Sequence, residues 1–346
     1  MKIELEIINP INYPTWNKLL LLNQQYSFFH SSNWAEVLQG SYHYKPLYFT
    51  LIENNELLVS IPFMEVKSFF TGHRGVSLPF TDYCDPIISE KINFQDIMNS
   101  LIQYGKRAGW KSIEIRGGKG LLPEFPPSSF YYGHTISLLP SEEELFTNLR
   151  DSTKRNIKKA MREDVKVETF NSLESIKKFY HLNCMVRKDH GLPPQPYYFF
   201  KKIFEHIISK NLGIVMLASF QDKTIAAAIY FHFGDKAIYK YGASDKKYQH
   251  LRANNLVMWE AIKWFRQSGY NTFCLGRTEP ENKGLLQFKS GWGSDEYIIS
   301  YYKYDFKKET YVKDPSRITG LHNKIFKKMP ISLLKITGSL LYKYMG

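Results

Sequence analysis

The residues best suited to chemistry lie toward the C-terminal end: Gly276-Arg277-Thr278, then Leu285-Leu286-Gln287-Phe288-Lys289-Ser290-Gly291-Trp292-Gly293. Lys289 stands between Phe288 and Trp292, and glycines flank the tryptophan. A cation held among aromatics beside permissive backbone suits developing negative charge, such as the oxyanion of an acyl-transfer intermediate. The plainer reading has Lys289 snorkelling beside Trp292 as a packing residue. The apolar run Thr272-Phe273-Cys274-Leu275 predicts a buried strand that opens into a turn at Gly-Arg-Thr. Such strand ends are where α/β folds place ligands. Arg277 there can clamp a phosphate or carboxylate, or pair with Glu279 or Glu281.

Those residues need elements to position them. Tyr239-Lys240-Tyr241-Gly242-Ala243-Ser244 ends an apolar strand and leads into a loop, and Gln249 to Asn254 opens a long apolar helix. A helix N-terminus favours phosphate, and Arg252 can bind one by its side chain. Arg252 and Asn255 also suit plain helix capping and a surface charge. Ser141-Glu142-Glu143-Glu144 reads as a capping box, and the next helix spreads Arg150, Lys154, Arg155, Lys158, Lys159 and Arg162 over a basic face. That face is either solvated or a contact for phosphates of an anionic partner, with Lys154, Arg155 and Lys158 foremost.

Two stretches echo each other. Gln103 to Ile115 and Lys263 to Leu275 each close a basic helix, pass a glycine and an aromatic, and open a strand. Each follows a predicted hairpin: Leu47 to Ile52 with Leu57 to Phe63, and Ile214 to Phe220 with Ile225 to Phe233. The repeat predicts tandem α+β domains of one type.

Length and composition agree. The 346 residues suffice for two domains, and 43% hydrophobic with 16% aromatic content supports a sizeable core. Cys84, Cys184 and Cys274 are widely spaced, have no metal-ligand pattern, and read as reduced core residues. The N-terminus Met1-Lys2-Ile3-Glu4-Leu5-Glu6 carries acids where a signal peptide needs an apolar run, so a cytoplasmic protein is expected. The net charge of +13 points to an anionic partner. From Lys303 onward ten Lys/Arg face three Asp/Glu, so over half the surplus lies in that tail. Within it Leu333, Ile336, Leu340 and Tyr344 share one helical stripe, and Lys328, Ser332, Lys335, Ser339 and Lys343 another. The tail either lies on an anionic membrane or packs its apolar stripe on the body. The first reading puts the protein peripherally at the inner face of the plasma membrane.

Several segments in order resemble the Fem-type aminoacyl and acyl transferases, including the FemAB-like proteins of envelope and exopolysaccharide clusters. They are Phe29-His30-Ser31-Ser32-Asn33-Trp34, Ser77-Leu78-Pro79-Phe80-Thr81-Asp82-Tyr83, Lys154 to Ala160, His190-Gly191-Leu192-Pro193, Arg252 to Leu256, and the Lys289 stretch. The resemblance covers roughly residues 28 to 305. It implies an α+β fold of tandem GNAT-like (acetyltransferase-like) domains with mixed sheets flanked by helices. The expected division is 1–140, then 141–305 with the donor site, then the basic tail 306–346. The implied activity is acyl or aminoacyl transfer to an amine of a peptidoglycan or polysaccharide precursor. The donor would be aminoacyl-tRNA, acyl-CoA or acyl-carrier protein, with no permanently bound cofactor and no metal. The resemblance puts Lys289 at the donor site as oxyanion stabiliser. Arg277, Thr278, Tyr239, Tyr241, Arg252, Asn254, Asn255, Phe288 and Trp292 then surround the donor, and Asp82, Tyr83 and His190 the acceptor. Arg252 and Asn254 stand where coenzyme A-binding relatives carry two glycines, and no sustained heptads predict the helical arm of the peptidoglycan-modifying members. Both departures weigh on donor identity. Two alternatives stand: an acyl-CoA or acyl-carrier-protein N-acyltransferase of exopolysaccharide synthesis, and a non-catalytic protein that binds RNA or anionic membrane.

Overall fold

A computed structural model describes residues 4–118, 120–313 and 321–346. Met1 to Ile3 and tail residues 314–320 lie outside the described residues. The chain forms two compact units. The first takes Met1–Tyr131, Ile298–Arg317 and Leu341–Gly346, and the second takes Tyr132–Tyr297 and Ile318–Leu340.

In the first unit, Lys45–Glu53 and Glu56–Ser68 form a long hairpin with Leu47 opposite Phe63. Its turn is Asn54-Asn55, with φ of 50° and 61°. Two left-handed central residues are what a two-residue turn between twisted strands requires, and asparagine tolerates that conformation. Gly72–Val76 adds antiparallel to the hairpin. Helix Phe94–Arg107 then crosses, Gly109 turns at φ 68°, and Ser112–Arg116 returns parallel to Gly72–Val76.

The second unit repeats this order. Gly213–Phe220 and Lys223–Phe233 form a hairpin through Gln221 and Asp222, with φ of 48° and 61°. Lys236–Ser244 pairs antiparallel, helix Ala253–Gln267 crosses, Gly269 turns at φ 84°, and Thr272–Thr278 returns parallel. Both predicted hairpins and both helix–glycine–strand echoes are therefore present. Each unit is an α+β layer whose apolar helix face covers its own strands. Leu101, Trp110 and Ile113 meet Phe63 in one core, and Trp259, Phe265 and Phe273 meet Tyr230 in the other. The three cysteines are buried thiols that form no disulfide among the described residues.

The strand at the predicted site runs on where a turn was expected. Thr272–Thr278 stays in register with the antiparallel strand up to Cys274, slips, and resumes at Arg277 opposite Gly133. Gly276, at φ 70°, absorbs the slip as a β-bulge.

The tail also differs from the expected separate segment, since its parts belong to the two units. Helix Ile331–Leu341 buries Leu334 and Gly338, whereas Leu333, Ile336 and Leu340 of the expected stripe are about half exposed. Gly338 decides this. A Cβ there would lie 2.0 Å from the carbonyl oxygen of Pro194, so only glycine lets the helix seat by that face.

Two consequences are measurable. Gly338→Val should lower stability by about 1–3 kcal/mol, read as a reduced urea midpoint. His232 is buried, its ring nitrogen Nδ1 2.7 Å from the Tyr270 hydroxyl, and burial pushes its pKa down to about 4 from 6.5. The unfolded chain then binds the extra proton first. Stability should be complete above pH 6.5 and fall by up to roughly 3 kcal/mol toward pH 4. Urea titrations across that range should show a shallower loss for His232→Gln.

Candidate active site

The second unit contains a gap that its sequence pattern did not reveal. The parallel strands Lys236–Ser244 and Thr272–Thr278 pair only at Lys236–Thr272, Ala237–Phe273 and Ile238–Cys274. Beyond Ile238 and Cys274 both strands continue but no longer pair with each other. They diverge toward their carboxyl ends, where parallel sheets receive ligands. Tyr239, Tyr241 and Gly242 border one side, and Gly276, Arg277 and Thr278 the other.

Lys289 ends the short helix Lys283–Lys289 and is 3% exposed. Its ammonium donates to the carbonyls of Gly276 at 3.0 Å and Arg277 at 2.9 Å. The bulge turns those carbonyls toward the lysine, so the charge is fixed at the edge of the gap. The ammonium thus meets backbone oxygen. Phe288 and Trp292 pack edge-on against each other, ring centroids 5.7 Å apart, and belong to the core. Arg277 is half-buried, and Thr278 is fully buried with its hydroxyl unsatisfied.

His134 joins this group, and the linear sequence carried no signal for it 155 positions before Lys289. It is fully buried on the strand opposite the bulge. Burial, then the positive charge of Lys289, pushes its pKa below the usual histidine value, so the imidazole is neutral near pH 7. Its Nε2 lies 3.2 Å from a carboxylate oxygen of half-exposed Glu296. The approach is off the hydrogen-bond direction, and both ring nitrogens lack a directed partner. Neutral His134 next to a cation leaves a buried lone pair and a buried N–H beside the gap.

Arg150 ties the basic helix to this site. Its guanidinium donates to the Gln287 carbonyl at 3.0 Å and the Ser290 hydroxyl at 2.8 Å, and its amide to the Gly291 carbonyl at 3.1 Å. Gly291 is required, because a Cβ would meet Thr153 Oγ at 2.5 Å. Helix Asp151–Arg162 therefore starts against the Lys289 turn. It presents Arg155 and Lys158 to solvent, while Lys154 reaches Asp151 at 3.5 Å.

The other expected donor contacts separate. Tyr239 and Tyr241 would share a face in a regular strand. A register shift against Ile229 and Tyr230 sends them to opposite faces. Tyr239 packs on Tyr230, with its hydroxyl over Gly242, and burial raises its pKa to about 12. Tyr241 packs among Phe179, Phe199 and Phe200. Only Tyr239 thus shares the face of helix Ala253–Gln267. Arg252 is that helix's N-cap in the left-handed conformation, φ 61°, with an exposed side chain. Asn254 donates to the Ser244 hydroxyl at 3.0 Å, and Asn255 is buried.

The expected acceptor residues fall in different units. His190 is the exposed C-cap of Leu173–Asp189 in the second. Asp82 and Tyr83 lie in the first, after a strained turn in which Leu78 and Phe80 take φ of 51° and 62°. Bulky residues in that conformation cost energy and persist only where the surroundings hold them. Arg116 and the Thr81 hydroxyl hold the Leu78 carbonyl at 3.2 and 2.6 Å. Tyr301 donates to the Asp82 carbonyl at 2.8 Å. Burial would raise Glu114, but Arg116 at 2.7 Å holds its carboxyl below the usual value.

Residues 147–296 match the acetyltransferase (GNAT) domain family. A lipid II:glycine glycyltransferase of Staphylococcus epidermidis is 32% identical over 76 residues, 20% of this chain and 18% of that protein. The match thus spans under a fifth of that curated relative. In fold, the chain is similar to FemX, with a TM-score of 0.70, 13% identity, and 88% and 97% of the two chains covered. It is also similar to a tandem GNAT protein of the clavulanic acid biosynthesis pathway, with a TM-score of 0.54, 7% identity, and 88% and 99% covered.

If the ammonium organises the bulge, Lys289→Met should cost about 1–3 kcal/mol through two unsatisfied carbonyls, measured by urea unfolding. Lys289→Arg, which keeps donors there, should lose less.

Proposed function

Since this chain carries a GNAT domain within a Fem-type tandem fold, we propose that it transfers an acyl or aminoacyl group to an amine of a cell-envelope precursor. The observation that supports this is the gap between the two diverging parallel strands, edged by a buried, fixed ammonium. The donor's carbonyl enters the gap. The acceptor amine attacks its carbon, a tetrahedral oxyanion forms beside Lys289, and collapse breaks the ester C–O or thioester C–S bond. The leaving oxygen or sulfur takes up the proton that the amine releases. An ammonium already held by backbone needs little reorganisation as the charge appears, which is the main source of such stabilisation. Arg277 and Thr278 border the donor.

Two donor classes fit this chemistry. An aminoacyl-tRNA end is favoured by exposed Arg155 and Lys158 on a helix anchored at the site through Arg150. Left-handed Arg252 stands where a glycine would let backbone amides approach a coenzyme A pyrophosphate, which disfavours acyl-CoA. In the first unit, the strained Leu78–Phe80 turn before them supports the reading of Asp82 and Tyr83 as acceptor-side residues. The protein works at the cytoplasmic face. No helix among the described residues is long and apolar enough to cross a membrane. Peripheral contact through exposed Leu333, Ile336 and Leu340 would bring it to a lipid-linked acceptor.

Thermal shift separates the donors. Stabilisation by a non-hydrolysable aminoacyl-adenosine mimic and not by acyl-CoA is expected, and the reverse result assigns a coenzyme A thioester. With the donor found, Lys289→Met should lower kcat about 10²–10³-fold while KM moves little. Full activity in that variant removes the oxyanion role. Salt-sensitive RNA binding without transfer would instead favour a non-catalytic protein.

A further inference from the structure

The connection between Glu56–Ser68 and Gly72–Val76 ends in Phe69 and Phe70, which are 90% and 69% exposed. The tip is an ordered turn. The Ser68 hydroxyl accepts from the amides of Phe70 and Thr71, both at 3.2 Å, and Gly72 takes φ 78°. The two phenyl rings pack edge to face at 5.8 Å. Phe70 also meets Tyr344 edge-on at 6.0 Å, and the next residue, Met345, is 60% exposed. Cations surround this apolar apex. Lys67 is exposed on the hairpin, and Lys111 lies over Gly72, where a Cβ would sit 2.4 Å from its Cδ. The Lys343 ammonium is 4.8 Å from the centre of the Tyr344 ring. Glu65, two positions before Lys67 on the same strand, is taken up by His73 at 3.1 Å and Trp110 at 3.2 Å.

We infer that this tip, with Tyr344 and Met345, is a docking surface for an anionic phospholipid membrane. Phe69 and Phe70 enter the boundary between headgroups and acyl chains, and Lys67, Lys111 and Lys343 meet lipid phosphates. Protruding aromatics behind a collar of one charge sign match that boundary, where apolar groups insert and lysines snorkel back to the headgroups. The net charge of +13 acts in the same direction. The inference requires no transfer activity and is distinct from the contact proposed for Leu333, Ile336 and Leu340.

The test is flotation of the full-length chain with vesicles of phosphatidylcholine alone and of phosphatidylcholine mixed with phosphatidylglycerol. Wild type should float only with the anionic vesicles. Phe69→Ser with Phe70→Ser should weaken binding at least about tenfold, at an unchanged melting temperature. A Phe69→Trp reporter should shift its emission to the blue on those vesicles. Binding kept by the double variant, or a reporter that does not shift, overturns the inference, whatever the Leu333, Ile336 and Leu340 variants do. Self-association of the wild type that the double variant abolishes, without vesicle binding, would assign the surface to a second copy instead. Because the assay contains no donor or acceptor, its result is independent of the proposed reaction.

Discussion

The second unit depends on two parallel strands that pair for three residues and then separate. A parallel sheet gives up backbone hydrogen bonds where it opens, and buried amide groups without partners are costly. The bulge at Gly276 and the ammonium of Lys289 offset part of that cost. The first re-aims the carbonyls of Gly276 and Arg277, and the second takes both. A lysine in this position is structural before it is chemical. The same contacts that hold the strand open hold the positive charge in place, and a charge already in place is what an oxyanion site needs.

This arrangement extends to its neighbours. Lys289 can occupy its place because the short helix carrying it is pinned by Arg150, and Arg150 begins the basic helix. The basic helix and the buried cation are therefore joined through one guanidinium. On the opposite strand, the charge of Lys289 helps to keep His134 neutral. The imidazole and the unsatisfied Thr278 hydroxyl leave polar groups beside the gap that a ligand could complete.

The first unit repeats the same order of elements, and its parallel pair also spans three residues, from Arg74–Ser112 to Val76–Glu114, before its first strand ends at Val76. Strain appears there in a turn, at Leu78 and Phe80, held by partly buried Arg116. One order of elements thus ends in a bulge at Gly276 in one unit and in a strained turn at Leu78 and Phe80 in the other.

Much of the fold could be read from the amino-acid order, because its signals are local. Turn residues at Asn54-Asn55, glycines after basic helix ends, and the capping box at Ser141 each act within a few positions. Lys289 also stood out locally, by its aromatic and glycine neighbours. What surrounds it did not. The carbonyls of Gly276 and Arg277 and the imidazole of His134 reach Lys289 only through strand pairing, and a one-residue bulge reverses which face a side chain takes. That is why Tyr239 and Tyr241, two positions apart, part company. The tail shows the same limit. Helical periodicity identified an apolar stripe at Leu333, Ile336 and Leu340, yet Gly338 seats the helix by another face. Local propensity and composition determined the elements and their order. Register, bulges and close backbone approach, which depend on partners far along the chain, decided which residues meet.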